Sequence, residues 1–125
     1  MLSTDTILID EIFHINSVDS QKFDRVSRIV ATSSLQDIEM TLDINSELYP
    51  LKADESISVQ LASTLQDAFK DSADYIMYGK VYRFDEGEKD RVLRFNFGGL
   101  LMCLEGPYKK LSRLSYDHVY LFIRK

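Results

Sequence analysis

The sequence predicts a single all-β domain spanning residues 1–125: a small eight-stranded antiparallel barrel with one or two short helical segments. Apolar and polar residues alternate with a period of two along much of the 125 residues. This pattern is typical of strands with one buried face. Clusters of turn-forming residues separate the runs. Many short strands at close spacing favour a closed barrel or a sandwich, and this chain length favours the barrel.

Eight segments carry strand signals, either strict alternation or a high content of β-branched and aromatic residues. They are residues 7–15, 25–33, 37–45, 56–64, 74–84, 92–97, 100–105 and 117–125. Turns are predicted between them, at residues 16–21, 46–50, 52–55 and 85–90. Segments 65–73 and 107–114 have helical character, and Pro107 suits the first position of the second helix.

Strict alternation also predicts which side chains of three strands face the core. These are Ile38, Met40, Leu42, Ile44, Ile57, Val59, Leu61, Val119, Leu121 and Ile123. Segment 25–33 alternates more weakly, through Val26 and Val30. Gly79 stands alone inside a strong strand pattern, so we expect it to let the barrel strand bend.

A glycine pair predicts a tight hairpin. Gly98 and Gly99 separate two strand-like runs, and both central residues of a type I′ turn need a positive φ, which glycine adopts without steric cost. The register follows from this turn. The predicted cross-strand pairs are Phe97–Leu100, Asn96–Leu101, Phe95–Met102, Arg94–Cys103, Leu93–Leu104 and Val92–Glu105.

Leu101 breaks the pattern of this hairpin because it lies on the otherwise polar face. Either a loop or the 107–114 segment covers it, or it contacts another chain. Segment 74–84 raises the same question, since it is apolar on both faces and therefore needs a second cover. One face carries Ile76, Tyr78 and Tyr82, and the other carries Tyr75, Met77 and Val81.

The sequence predicts no catalytic residue, no metal ligand and no cofactor. His14 and His118 lie in strand-like segments, and HExxH, CxxC and nucleophile-elbow motifs are absent from the sequence. Asp43 and the acids of segment 85–90 are interpreted as solvated. Cys103 has Arg94 opposite, which could lower the pKa of its thiol, but no general base accompanies it.

Composition narrows the class of protein further. The single cysteine favours a reducing compartment, and no apolar run approaches the length of a membrane span. The N-terminal residues lack the pattern of a signal peptide.

The net charge is −5, but residues 1–79 hold 14 acids and 5 bases, whereas residues 80–125 hold 6 acids and 10 bases. This asymmetry can indicate nucleic-acid binding. We favour interleaved strands that mix the charges over one surface, because nucleic-acid binders are typically basic overall.

Six stretches of the chain resemble, in the same order, the family of small OB-fold-like subunits shared by eukaryotic nuclear RNA polymerases I, II and III. The most specific combination is YIMYGKVY followed by FGGLLM. The stretches are residues 7–29, 40–50, 61–65, 74–84, 97–102 and 119–125. The resemblance implies an OB-fold-like barrel of eight strands with no activity of its own. It also implies a nuclear and nucleolar subunit that supports transcription of rRNA, mRNA, tRNA and other small RNAs.

By this resemblance, the protein docks on the largest subunit of each polymerase, near the funnel and pore, among other polymerase subunits. No direct contact with nucleic acid and no membrane association are expected. The implied interface residues are Tyr75, Met77, Tyr78, Gly79, Lys80, Gly98, Gly99, Leu100, Leu101 and Met102. Two features depart from the family: Cys103 replaces a usually basic residue, and the loop at 66–73 is short.

The sequence is also compatible with a second function. OB-like barrels also bind single-stranded nucleic acid through surface aromatic residues and a basic groove. The residues that could do so are Tyr78, Lys80, Tyr82, Arg83, Tyr120 and Phe122. The net negative charge argues against this alternative, because phosphate contacts supply most of the affinity in such proteins.

Overall fold

The computed structural model describes residues 7–23, 25–65, 67–87, 90–114 and 118–125, with the side chains of residues 20–23 and 67–69 excepted. Sequence predictions for residues 66, 88–89 and 117 lie outside the described residues. The elements in chain order are β1 (Ile7–Phe23), β2 (Val26–Ser33), β3 (Glu39–Asn45), β4 (Ser56–Ala62), α1 (Asp67–Ser72), β5 (Tyr75–Glu86), β6 (Asp90–Phe97), β7 (Leu100–Pro107), α2 (Tyr108–Leu111) and β8 (His118–Arg124).

The eight strands form a closed barrel in the order β1-β2-β3-β7-β6-β5-β8-β4, and β4 pairs with β1 to complete the ring. Neighbouring strands are antiparallel throughout. The predicted all-β barrel with short helices is therefore confirmed. All ten side chains that strict alternation assigned to the core are buried. Fully buried members of the core include Phe13, Ile15, Ile29, Met40, Leu42, Leu61, Phe95 and Leu121.

Helix α2 packs against β1, β6 and β7. It buries Leu111 in the core. The Lys110 ammonium donates to Glu11 Oε1 at 3.0 Å and pairs with Asp37 Oδ2 at 2.8 Å, which ties α2 to β1 and to the β2–β3 loop. Arg91 Nη1 donates to the Leu111 carbonyl oxygen at 2.9 Å, which fixes the end of α2.

The Arg91 side chain is itself enclosed. Its guanidinium lies 5.0 Å from the centre of the Phe84 ring and 5.6 Å from that of Tyr108. Both rings are more than half exposed, so they shield the cation from water while remaining at the surface. The arginine thus joins β5, β6 and α2.

Three local predictions are wrong. Strand β1 continues to Phe23 through the predicted turn at 16–21, because register shifts absorb the irregularity after Ile15 and Asp19. Pro107 precedes helix α2 instead of opening it, and its φ of −65° and ψ of 141° are extended. In β2 the buried face carries Ile29 and Ala31, so the weak alternation through Val26 and Val30 marks the outer face.

The glycine hairpin forms as predicted. Gly98 has a φ of 63° and Gly99 a φ of 101°, and all six predicted cross-strand pairs are present. The Gly99 N–H donates to Asn96 Oδ1 at 2.7 Å. Gly79 has a different role: a Cβ atom there would overlap the backbone carbonyl oxygen of Asn96 and lie 2.7 Å from Phe97 Cδ1. Close approach of β6 therefore requires glycine in β5, and the predicted bend stays a prediction.

Candidate partner interface

Leu101 lies on the outer face of β7 and is 38% exposed. Its cross-strand neighbour on β6 is Asn96, which in turn pairs with Lys80 on β5. Helix α2 follows the opposite end of β7, so the 107–114 segment does not cover this leucine. Of the two alternatives that the sequence left open, the structure therefore excludes full cover by that segment.

The backbone at Leu101 is held by a buried ion pair. Its N–H donates to Asp43 Oδ2 at 3.1 Å, beyond the point where the β3–β7 pairing ends at Leu42 and Met102. Asp43 also accepts from Arg28, whose Nε lies 2.6 Å from Oδ1 and whose Nη2 lies 3.1 Å from Oδ2. The interpretation of Asp43 as solvated is wrong, because this bidentate pair and the backbone donor satisfy a carboxylate that is only 6% exposed.

A groove of about 250 Å³ runs beside Leu101 on this outer wall. We call it the Leu101 groove, and its lining residues are Arg28, Thr41, Tyr82, Arg94, Leu101, Met102 and Cys103. Tyr82 reaches the groove because the β5–β6 register shifts between Val81 and Arg83. Such a bulge inserts one extra residue and re-aims a side chain. Tyr82 consequently exposes half of its surface beside Leu101.

Cys103 is half-buried in the Leu101 groove. Burial raises the pKa of its thiol, and the nearby Arg94 guanidinium lowers that pKa by less. The sequence-based suggestion of a lowered pKa is therefore wrong, because it considered the cation and omitted the desolvation. Cys103 contributes a small apolar surface to the groove.

A second cluster lies on the neighbouring strands β5 and β8. We call it the aromatic row, and it consists of Tyr78, His118 and Tyr120. The Tyr78 ring stacks on His118 with centroids 5.7 Å apart and contacts Tyr120 at 4.5 Å. Phe122, two residues further along β8, is only 2% exposed, and helix α1 packs against this strand. Its predicted role in stacking a nucleobase is wrong, since its ring is not accessible.

Three predicted interface residues point inward or are largely enclosed. Met77 and Met102 belong to the core, so their side chains are not available to a partner, and that prediction is wrong. Tyr75 is half-buried: its ring stacks on Tyr49 at 5.3 Å and its hydroxyl oxygen accepts the Asn45 N–H at 3.2 Å. For Tyr75 and Met77 the cause is the direction of β5, whose odd-numbered residues through 79 face the interior, whereas Met102 lies on the inward face of β7.

The remaining predicted residues divide by exposure. Tyr78, Lys80, Gly98, Gly99 and Leu101 are exposed, Leu100 is partly buried against the core, and Gly79 is buried. Two groove residues on strands distant along the chain and one on the neighbouring β6 were not predicted from the sequence. These are Arg28, Thr41 and Arg94. Only Arg94 had a usable signal, because the predicted hairpin register already placed it diagonally opposite Leu101.

Among the described residues, no group of three or more His, Cys, Asp or Glu side chains is arranged to hold a metal ion. None of the described helices has the length and apolarity needed to span a membrane. The Leu101 groove combines arginine, tyrosine and leucine, the residue types that bind protein partners through combined apolar and charged contacts.

The fold and this surface define an all-β barrel whose candidate interaction site lies on its outer wall. Its sequence matches the model of the family described as RNA polymerase Rpb8 over residues 10–125. The chain belongs to this family, which confirms the resemblance found in its motifs.

Relatives that are aligned over nearly their full length support this assignment. The Schizosaccharomyces pombe protein "DNA-directed RNA polymerases I, II, and III subunit RPABC3" is 52% identical and is aligned over 98% of this chain and 99% of the relative. The Saccharomyces cerevisiae protein of the same name is 38% identical over 94% and 97%. The Arabidopsis thaliana protein "DNA-directed RNA polymerases II, IV and V subunit 8B" is 31% identical over 99% of each chain. These names denote shared subunits, which fits the predicted non-catalytic role.

A solved structure of the cytoplasmic molybdate-binding protein ModG aligns with 93% of this chain and 89% of its own, at 10% identity and a TM-score of 0.36. A likeness this weak supports no inference about fold or ligand.

Proposed function

We propose that this protein is a non-catalytic structural subunit common to nuclear RNA polymerases I, II and III, and that it docks on the largest subunit of each. The observation that carries the proposal is the full-length alignment at 52% identity to a relative named as a subunit of all three enzymes. Membership in polymerase I would bring the protein to the nucleolus as well as the rest of the nucleus. The Arabidopsis relative, named for a different set of polymerases, is less similar at 31% identity.

The Leu101 groove is the proposed docking surface. Apolar side chains exposed on an outer wall are expected in an assembly subunit, because the partner covers them. Full burial of a leucine contributes about 2 kcal/mol, so covering the exposed 38% of Leu101 adds under about 1 kcal/mol. One such contact cannot hold a permanent complex. Tyr82 in the groove and the adjoining aromatic row supply further area on the same wall.

The test is affinity purification of the tagged full chain from cells, with quantification of the three largest polymerase subunits. Leu101→Asp places a charge against the proposed interface, and we expect it to reduce recovery of all three subunits about tenfold or more. The matched control is Leu35→Asp. Leu35 is 70% exposed in the β2–β3 turn, at the end of β3 remote from the glycine hairpin.

Both variants are expected to remain folded, because each replaces a partly or largely exposed side chain, and thermal melting of the purified chains checks this. Undiminished recovery of the largest subunits with folded Leu101→Asp would refute the role of Leu101. Equal losses in both leucine variants would refute the specificity of the surface.

We infer no direct role in binding nucleic acid. The chain carries a net charge of −5, and the rings of the aromatic row contact one another instead of standing free. Because the affinity of single-strand binders depends on phosphate contacts, the charge balance favours a protein partner.

A further inference from the structure

We propose that the segment of the largest polymerase subunit that fills the Leu101 groove is acidic, with carboxylates that pair with Arg94 and Lys80 beside an apolar contact to Leu101. This inference rests on the proposed function and specifies the chemistry of the partner. It depends on the charges around the groove, which are opposite in sign to the net charge of the chain.

Lys80 and Arg94 lie on the β5–β6 side of Leu101 on the outer wall. Lys80 pairs with Asn96, the residue directly opposite Leu101, while Arg94 lies opposite Cys103, two residues further along β7. Both cations are exposed. They therefore lie diagonally across β5 and β6 from each other, on one side of Leu101, at positions that a single docked segment could span.

These two cations lack partners in the part of the chain that the structure describes. Neighbouring arginines are neutralised: Arg28 pairs with Asp43 at 2.6 Å, and Arg83 pairs with Asp85 at 3.2 Å. No carboxylate among the described residues forms an ion pair with Lys80 or Arg94. In a chain with 20 acidic and 15 basic residues, two unpaired cations beside an exposed leucine indicate a surface suited to an outside anion.

Strand register adds a second, independent observation. Arg83 on β5 lies directly opposite Arg94 on β6. Like charges in directly opposed cross-strand positions destabilise a sheet. Asp85 relieves the charge of Arg83 only. A carboxylate from a partner at Arg94 would reduce the repulsion that remains between the two arginines.

The apolar centre favours a protein anion over a phosphate backbone. Beside Arg94 in the groove lie Leu101, Cys103 and the ring of Tyr82, which offer contact area to an apolar side chain. Single-strand binding depends on a row of cations following the phosphates. Two cations on one side of a leucine match a short peptide segment that combines acidic residues with an apolar one.

The experiment compares charge reversals in the tagged full chain recovered with polymerase from cells and washed at increasing salt concentration. We expect Arg94→Glu and Lys80→Glu each to lower retention of the largest subunit on the order of tenfold, and the wild-type complex to dissociate progressively as salt rises. The matched control is Arg124→Glu. Arg124 is exposed at the far end of β8 and undergoes the same charge change.

Folding is monitored separately. Because Arg94→Glu replaces a repulsive Arg83–Arg94 pair by an attractive one, its melting temperature should equal or exceed that of the wild type. Loss of polymerase from such a variant then reports the interface and not unfolding. Retention equal to that of Arg124→Glu would overturn the proposal.

Two further outcomes distinguish a failure of this inference from a failure of the proposed docking surface on which it rests. If Leu101→Asp loses polymerase while both Lys80→Glu and Arg94→Glu keep it, the docking surface stands and the acidic partner is refuted. If Leu101→Asp also keeps polymerase, the docking surface itself is refuted. Fluorescence anisotropy with a labelled single-stranded oligonucleotide tests the other anion. Micromolar binding at physiological salt that Arg94→Glu abolishes would assign the cations to nucleic acid and overturn the proposal.

Discussion

Replacing Gly79 by alanine tests whether the β5–β6 contact sets the stability of the barrel. The added Cβ would overlap the backbone carbonyl oxygen of Asn96 and lie 2.7 Å from Phe97 Cδ1. Backbone cannot rotate away as the end of a flexible side chain can. The two strands must therefore separate locally, or the ladder between Lys80 and Asn96 must distort.

The substitution removes no interaction, yet we expect it to lower the free energy of unfolding substantially. Overpacking typically costs about 1–3 kcal/mol, and overlap with backbone places this site near about 3 kcal/mol. The lower chain entropy of alanine in the unfolded state returns about 0.5 kcal/mol. A net loss of about 2.5 kcal/mol lowers the melting temperature of a domain this size by about 10 °C. With an m-value of about 2 kcal/mol/M, the urea midpoint falls by about 1.2 M.

The assay is urea denaturation of the purified 125-residue chain followed by circular dichroism. Gly87→Ala is the matched control, because the nearest atom to its added Cβ is Asp90 O at 3.6 Å, an ordinary van der Waals distance. We expect the control to unfold within about 0.5 M urea of the wild type, since compatible Gly→Ala changes alter stability by only a few tenths to about 1 kcal/mol. Coincident midpoints for Gly79→Ala and wild type would refute the reasoning.

Two further predictions concern the attachment of α2. Lys110 donates to Asp37 and holds the pKa of that carboxyl below its ordinary value. Asp37→Asn should therefore lower the free energy of unfolding by about 1 kcal/mol at pH 6. The difference from wild type should disappear as the pH falls below about 4. A pH-independent difference in urea denaturation would contradict this. Arg91→Met leaves the Leu111 carbonyl oxygen without its donor and should cost about 2 kcal/mol, whereas an unchanged melting temperature would show that the hydrogen bond is unimportant.

Local sequence chemistry was enough to predict the glycine hairpin. Gly98 and Gly99 supply the positive φ angles that the turn needs, and the register of Leu101 against Asn96 follows without knowledge of the rest of the fold. Strands with one polar face were predicted equally well, because the alternation of apolar and polar residues then matches the alternation of buried and exposed side chains, as at Met40 and Leu42.

The sequence did not predict features of the site that depend on contacts between strands. Both faces of β5 are apolar, so periodicity alone could not decide that Met77 faces the core while Tyr78 faces outward. Asp43 looked solvated because its partner Arg28 belongs to another strand whose register was unknown. The bulge at Tyr82 carries no local signal, since its cause is the pairing of β5 with β6.

Closure of the ring has a consequence for how this protein can diversify. Because every strand pairs with two neighbours, a companion finds no free sheet edge except where β3 and β7 diverge beyond Leu42 and Met102, and recognition depends mainly on exterior side chains. Along each strand, therefore, inward-facing residues must suit the core and the outward-facing residues between them must suit the partner. Substitutions on the exterior can retune an attachment while the interior stays constant, so the same scaffold can serve several large assemblies.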